Sequence, residues 1–218
     1  PSAQRPKEGN DYSFSGMLPL NQAAARIFRI THIANVPWLL ANGLHARTSQ
    51  LFDPNHRNIG STELISKRAT RQVPCAPGGT LSDYVPFYFT SRSPMLLNIK
   101  TGRGVAAVPM DEIVIIASTV HRLVECAVPF VFTDRHAYLA NATFYSDVAD
   151  LARIDWDILA RSDFSRSDED IDKKARYEAE LLVHRHLPLS AVSGVICLND
   201  QQASTCRAML AKAGAELP

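Results

Sequence analysis

Between Tyr177 and His186 the chain reads Tyr-Glu-Ala-Glu-Leu-Leu-Val-His-Arg-His, with two carboxylates two residues apart among small and apolar side chains. Alternate residues of a β-strand share a face, so this spacing points Glu178 and Glu180 to one side of a strand whose Ala179, Leu181 and Val183 enter a core. A carboxylate on a half-buried strand costs free energy unless water, a partner or a ligand compensates it. An edge strand with a solvated acidic face satisfies that condition, and so does a carboxylate aimed into a cleft. The spacing leaves both open.

The rest of the chain supplies a sheet for such a strand. Arg26 to His32 alternates polar and apolar residues and predicts a first strand. Asn35 can cap a short helix carrying Pro37, Trp38, Leu39 and Leu40 that stops at Gly43. From His45 to Gly60 there is no periodicity, and a loop of that length is commonly functional. Ser61 can cap a helix ending in Lys67, Arg68 and Arg71, cations suited to a helix C-terminus. Pro77-Gly78-Gly79 is a turn, and Asp83 to Phe89 is an aromatic strand that Pro86 places near a sheet edge. Pro94 can open a helix after Ser91-Arg92-Ser93.

The most apolar runs, 112–116 and 128–132, predict central strands. His136 follows the second of them and is a candidate acid, base or ligand, or a hydrogen-bonded structural histidine. Residues 144–159 carry short helical patterns, 162–174 read as a charged loop leading into the glutamate strand, and 192–198 read as a further strand. Asp200 can cap a last helix that ends at Gly214.

A chain of 218 residues that is 46% hydrophobic can bury the core of one α/β or α+β domain, assigned to 22–218 behind a polar N-terminal extension at 1–21. A net charge of +1 excludes binding of polyanions by bulk charge, so nucleic-acid binding requires a local basic groove. The four cysteines show no C-x-x-C pair and read as reduced thiols, and His184 and His186 form the one close histidine pair, so no metal is expected. There is no G-x-G-x-x-G, P-loop or G-x-S-x-G, and no run long enough to span a membrane. A cytoplasmic protein is expected.

Several blocks occur together: Phe28-Arg29-Ile30-Thr31-His32 through Trp38, Pro77-Gly78-Gly79 through Phe89, Ser93-Pro94-Met95, Phe132-Thr133-Asp134-Arg135-His136-Ala137, and Ala179-Glu180-x-Leu182-Val183. In content and order, from about Leu20 onward, they closely resemble the DarT family of DNA ADP-ribosyltransferase toxins. The resemblance implies a mixed α/β (α+β) ADP-ribosyltransferase fold, with two facing β-sheets around an NAD cleft and peripheral helices. It implies transfer of ADP-ribose from NAD, as co-substrate, to thymine or guanine of single-stranded DNA, grouped with both glycosyl and nucleotidyl transfer. It also implies a DarG-type antitoxin partner.

The resemblance further implies that Glu180 is catalytic, that Arg29, Ile30, Thr31 and Tyr88 bind NAD, and that Arg68 binds the diphosphate and assists catalysis, with Arg71 as the alternative register. Many relatives carry His where this chain has Arg29. Arg92, Met95 and His136 fall on the DNA side of the cleft, and Lys174 and Arg176 fall on the substrate-recognising loop. The chemistry suits these residue types. Breaking the nicotinamide–ribose bond develops an oxocarbenium-like centre that a carboxylate such as Glu180 stabilises, and His136 or Glu180 could take the acceptor base's proton. A transferase of this fold acting on RNA or protein, and a module that only binds NAD or nucleic acid, are the rival readings.

Overall fold

Strand β1 (Arg26–His32) runs through the middle of the domain and pairs along its whole length with β4 (Ile113–Thr119), from Arg26↔Thr119 to His32↔Ile113. In this computed structural model residues 20–165 and 167–217 are described, so the extension read at 1–21 lies, except for its last two residues, outside them. After β1 come α1 (Val36–Asn42), β2 (Leu44–His45), α2 (Thr62–Arg68), β3 (Tyr84–Tyr88) and α3 (Pro94–Thr101). Beyond β4 come α4 (Val120–Glu125), β5 (Phe130–Thr133), β6 (Phe144–Tyr145), α5 (Trp156–Arg161), α6 (Lys173–Tyr177), β7 (Glu180–His184), β8 (His186–Leu187), β9 (Gly194–Ile196) and α7 (Asp200–Ala213). Seven strands form an antiparallel sheet in the order β6-β5-β7-β3-β1-β4-β9, and β2 pairs with β8 beside it.

Pro86 does not put β3 at an edge. β3 is the middle strand, paired with β7 over five residues but with β1 only at Phe28↔Tyr88. The carbonyl of Pro86 faces β1 and accepts from Arg29 Nη1 at 2.9 Å, so the missing N–H faces the place where β1 and β3 have parted. Proline is tolerated there because no ladder bond is lost. The same parting opens the sheet into two halves, β1-β4-β9 and β3-β7-β5-β6. The apolar runs at β4 and β5 each lie one strand in from an edge.

Packing follows this opening. One face is covered by a continuous core that includes Ile27, Phe87, Phe89, Ile116, Phe132, Leu181 and Val183. On the other face the buried side chains fall into two clusters, one around Phe28, Ile30, Ile113 and Ile115 and one around Tyr84, Val131 and Leu182. Side-chain alternation along the strands produces this division.

The glutamate strand begins later than its pattern predicts. Residues 173–177 form α6, and β7 starts at Glu180, so Glu178 and Glu180 do not share a strand face. Tyr177 is fully buried with its hydroxyl donating to the Arg92 carbonyl at 2.8 Å, and Arg176 is held by Asp155 and Asp170. These anchors fix one helical turn where the alternation alone suggests extension, and part of the charged 162–174 loop is drawn into it. His184 ends β7 and Arg185 breaks the strand at φ +59, so His186 belongs to β8 and stacks on His45. Two caps also move. Asn199, not Asp200, accepts from Gln202 N at the start of α7, and the Asn35 side chain makes no cap for α1. Asn35 instead donates to Thr31 Oγ1 and the Arg57 carbonyl, at 3.0 Å each, and accepts from Arg57 N at 2.8 Å.

Candidate active site

The opening between β1 and β3 is a pocket walled by Arg29, Ile30 and Thr31 of β1, by Tyr88 of β3, by residues of the 45–60 loop, and by Glu180 at the head of β7. Glu180 is 2% exposed and pairs across the sheet with Tyr88. Burial by itself would raise its carboxyl pKa, but the charge of Arg68 and His136 and hydrogen bonds from Arg68 and the Ala137 N–H hold it below the usual carboxylate range. Arg68 Nη1 lies 3.0 and 3.3 Å from the two carboxylate oxygens, Ala137 N donates at 3.2 Å, and His136 Nδ1 is 3.3 Å away. The acid is fixed, ionised and hidden from water.

Each support has a local cause. Ser61 caps α2 by accepting from Leu64 N, and the helix delivers Arg68 at its last turn. Arg71 turns elsewhere and donates to the Leu139 carbonyl at 3.0 Å, so Arg68 is the arginine on the glutamate. His136 sits just past β5, its backbone N–H donates to the Ala175 carbonyl, and Tyr138 N–H donates to its Nδ1 at 3.2 Å.

The β1 side of the pocket is cationic. Arg29 has its Nε buried without a partner, as Arg68 has its Nη2. Burial first, then repulsion from Arg68, lowers the Arg29 pKa to about 10, which still leaves it charged at neutral pH. Two arginine side chains on the wall of one pocket suit an anionic ligand such as a diphosphate. Thr31 is buried and accepts the Asn35 amide, which frees its own hydroxyl proton for donation. Burial, then the nearby charge of Glu180 and Glu178, pushes the Tyr88 phenol above its ordinary range, and the hydroxyl donates to Met95 Sδ at 3.7 Å.

The structure therefore brings Arg29, Ile30, Thr31, Arg68, Tyr88, Met95, His136 and Glu180 to one pocket. Arg92 and Lys174 are exposed outside its lining, and Arg176 is engaged by Asp155 at 3.1 Å and Asp170 at 2.6 Å. Sequence reasoning passed over Arg47, Phe52 and His56 in the long loop, where Arg47 lies over the Phe52 ring at 5.4 Å. Burial, then the charges of Arg29 and Arg47, lowers the His56 pKa to about 4, so this ring is neutral at pH 7. The only signal was an aperiodic loop carrying such side chains. Among the described residues no group of three or more His, Cys, Asp or Glu could hold a metal, and no helix is long and apolar enough to cross a membrane.

The profile of the family described as "ssDNA thymidine ADP-ribosyltransferase, DarT" matches residues 28–218. The chain belongs to the DarT family. A relative from Escherichia coli O127:H6 (strain E2348/69 / EPEC), named DNA ADP-ribosyl transferase, is 48% identical over 192 residues, 88% of this chain and 86% of its own. Another from Thermus sp. (strain 2.9), with the same name, is 35% identical over 169 residues, 78% of this chain and 79% of its own. The solved Thermus sp. 2.9 DarT in complex with ADP-ribosylated ssDNA matches with a TM-score of 0.82 at 30% identity, over 90% of this chain and 92% of that one. The same protein in complex with NAD+ matches with a TM-score of 0.78 at 29% identity, over 89% and 93%. This is the ADP-ribosyltransferase fold, and the DarT family is one of NAD-dependent DNA ADP-ribosyltransferases. The reaction is a glycosyl transfer, and the nucleotidyl grouping is not supported, because ADP-ribosyl transfer breaks a bond at a ribose carbon and leaves the phosphates intact.

Proposed function

We propose that this enzyme transfers ADP-ribose from NAD to thymine of single-stranded DNA and releases nicotinamide. The observation that carries the reading is the buried, ionised Glu180 gripped by Arg68 and flanked by His136, on the wall of a pocket that the buried cation Arg29 also lines. NAD bound here supplies an activated glycosidic bond with nicotinamide as its leaving group. Glu180 holds negative charge where positive charge develops on the ribose, and its rigid hydrogen bonds mean that little reorganisation is needed during reaction. Arg29 and Arg68 set their positive charge beside the diphosphate, and Thr31 and the Ile30 backbone take the nicotinamide end, with Tyr88 closing the floor. His136 keeps Glu180 in place and faces the acceptor side.

DNA approaches from the side of Met95, whose thioether can pack on a base face, with Arg92 and Lys174 at the rim to meet phosphates. Arg176 contributes by holding the approach to α6. The family description names thymidine, which favours thymine over guanine. A single strand suits the site because its bases are displaced at little cost. A DarG-type antitoxin that removes the mark, a toxin role and a cytoplasmic setting complete the reading, and they rest on the sequence resemblance.

The test is incubation with labelled NAD and, in turn, single-stranded DNA, duplex DNA, RNA and protein, followed by digestion to nucleosides and mass spectrometry. The expected product is ADP-ribosylated thymidine from single-stranded DNA. Labelling of guanine, cytosine or adenine, of duplex and single strand equally, or of RNA or protein instead, would overturn the assignment.

A further inference from the structure

Glu178 stands on the wall of the same pocket as Glu180 and His136, half-buried, and none of the hydrogen bonds or ion pairs among the described residues engages its side chain. Its backbone is fixed as the C-cap of α6, with its N–H donating to the Ala175 carbonyl at 3.2 Å. The chain turns at Ala179 into β7, so two carboxylates that do not share a strand face still reach one cavity.

The other candidates for accepting a proton are committed. Both oxygens of Glu180 accept from Arg68, and one also accepts from Ala137 N–H. His136 Nδ1 is already occupied, by the Tyr138 N–H at 3.2 Å and Glu180 Oε1 at 3.3 Å. The Tyr88 hydroxyl donates to Met95 and stays protonated at neutral pH. Glu178 is the carboxylate at this end of the pocket whose oxygens meet none of these donors.

We propose that Glu178 is the catalytic base for the acceptor, taking the N3 proton of thymine as the ADP-ribosyl group is transferred. The proposal rests on the reading above that thymine in single-stranded DNA is the acceptor. In the step, thymine N3 gives its proton to a Glu178 oxygen and its electron pair forms the bond to the ribose anomeric carbon. The bond from that carbon to nicotinamide breaks, its electron pair neutralises the pyridinium, and the proton then passes from Glu178 to water.

The surroundings suit the role. The charged and titratable groups facing Glu178 are His136 beyond β5, Lys174 on α6, Glu180 on β7 and Tyr88 on β3. Burial lifts the Glu178 carboxyl above the usual range, Glu180 adds to this, and His136 and Lys174 oppose it. A carboxylate raised in this way is a stronger base, and a catalytic base works best with its pKa near the working pH.

The test compares wild type with Glu178→Gln on a thymine oligonucleotide and on one with 5-fluorouracil at the acceptor position, whose N3–H is more acidic. Glu178→Gln is expected to lower kcat for thymine by about 100-fold or more, to change the NAD dissociation constant far less, and to lose much less on 5-fluorouracil. Wild-type transfer to thymine should show an acid limb above the ordinary carboxylate range, a measurement that needs no variant. Equal losses on both bases, a wild-type rate in the variant, or no such limb in wild type would overturn the proposal. A wild-type enzyme that labels no thymine overturns the acceptor reading itself, and the proposal with it, before any variant is compared.

Discussion

Arg68 Nη1 stands 3.0 Å from one oxygen of Glu180 and 3.3 Å from the other, although 112 residues separate the two in the chain. The contact joins the end of α2 to the start of β7 in a site where Glu180 is 2% exposed and the Arg68 side chain 11%. The pair both holds the site together and orients its charge.

Glu180→Gln should therefore abolish transfer while keeping the fold. The amide oxygen still accepts a hydrogen bond, but the negative charge that stabilises the developing cation is gone, a loss on the order of 3 kcal/mol or more, so at least 100-fold in kcat. Labelled-NAD transfer and thermal unfolding measured on one preparation check this. A variant that keeps a tenth of wild-type activity would remove Glu180 from the chemistry.

Arg68→Met leaves a buried carboxylate without its main partner and should cost roughly 3 kcal/mol of stability at neutral pH. In wild type the lowered Glu180 pKa gives stability that is complete above the unfolded carboxylate range and is lost as pH falls through the folded value. Without Arg68, burial raises the folded value above the unfolded one, so the sign reverses and the variant regains stability relative to wild type on acidification. Urea unfolding at neutral pH and at about pH 4.5 should show the gap narrowing. A gap independent of pH would contradict the assignment. The KM for NAD should rise and kcat fall together, since the diphosphate loses a donor.

Arg92 is exposed and lies outside the pocket lining, and its carbonyl accepts from the Tyr177 hydroxyl. Arg92→Ala should raise the DNA dissociation constant several-fold, leave the NAD dissociation constant unchanged, and flatten the dependence of DNA binding on salt by about one phosphate contact. Fluorescence anisotropy with a labelled oligonucleotide across a salt series measures all but the NAD term.

Asn35→Ala removes the amide that orients the Thr31 hydroxyl and ties the long loop at Arg57. The expected stability loss is about 1–3 kcal/mol, from buried groups left without partners. The KM for NAD should rise more than kcat falls, because the loop and Thr31 line the pocket proposed for NAD and make none of the hydrogen bonds to Glu180. An unchanged KM would confine Asn35 to a structural role.

Local sequence was sufficient where one short-range interaction decides the outcome. β1 has the bounds its alternation predicts, Ser61 caps α2, and Ser93 with Pro94 opens α3. The blocks from Phe28 to Trp38, Pro77 to Phe89, Ser93 to Met95, Phe132 to Ala137 and Ala179 to Val183 carried the family resemblance, and Glu180 lies on the wall of a pocket. Tertiary packing decided the rest. Alternation in 177–183 predicts one strand, but burial of Tyr177 and the ion pairs of Arg176 outweigh it, so Glu178 leaves the strand and takes a separate place in the pocket. Pro86 was legible as a missing donor, but not that β1 and β3 part at that point to make the cleft. Asn35 has the chemistry of a cap, and only the neighbouring Thr31 and Arg57 give its amide better partners. A residue type sets which bonds a side chain can make, and long-range neighbours set which of those bonds is formed.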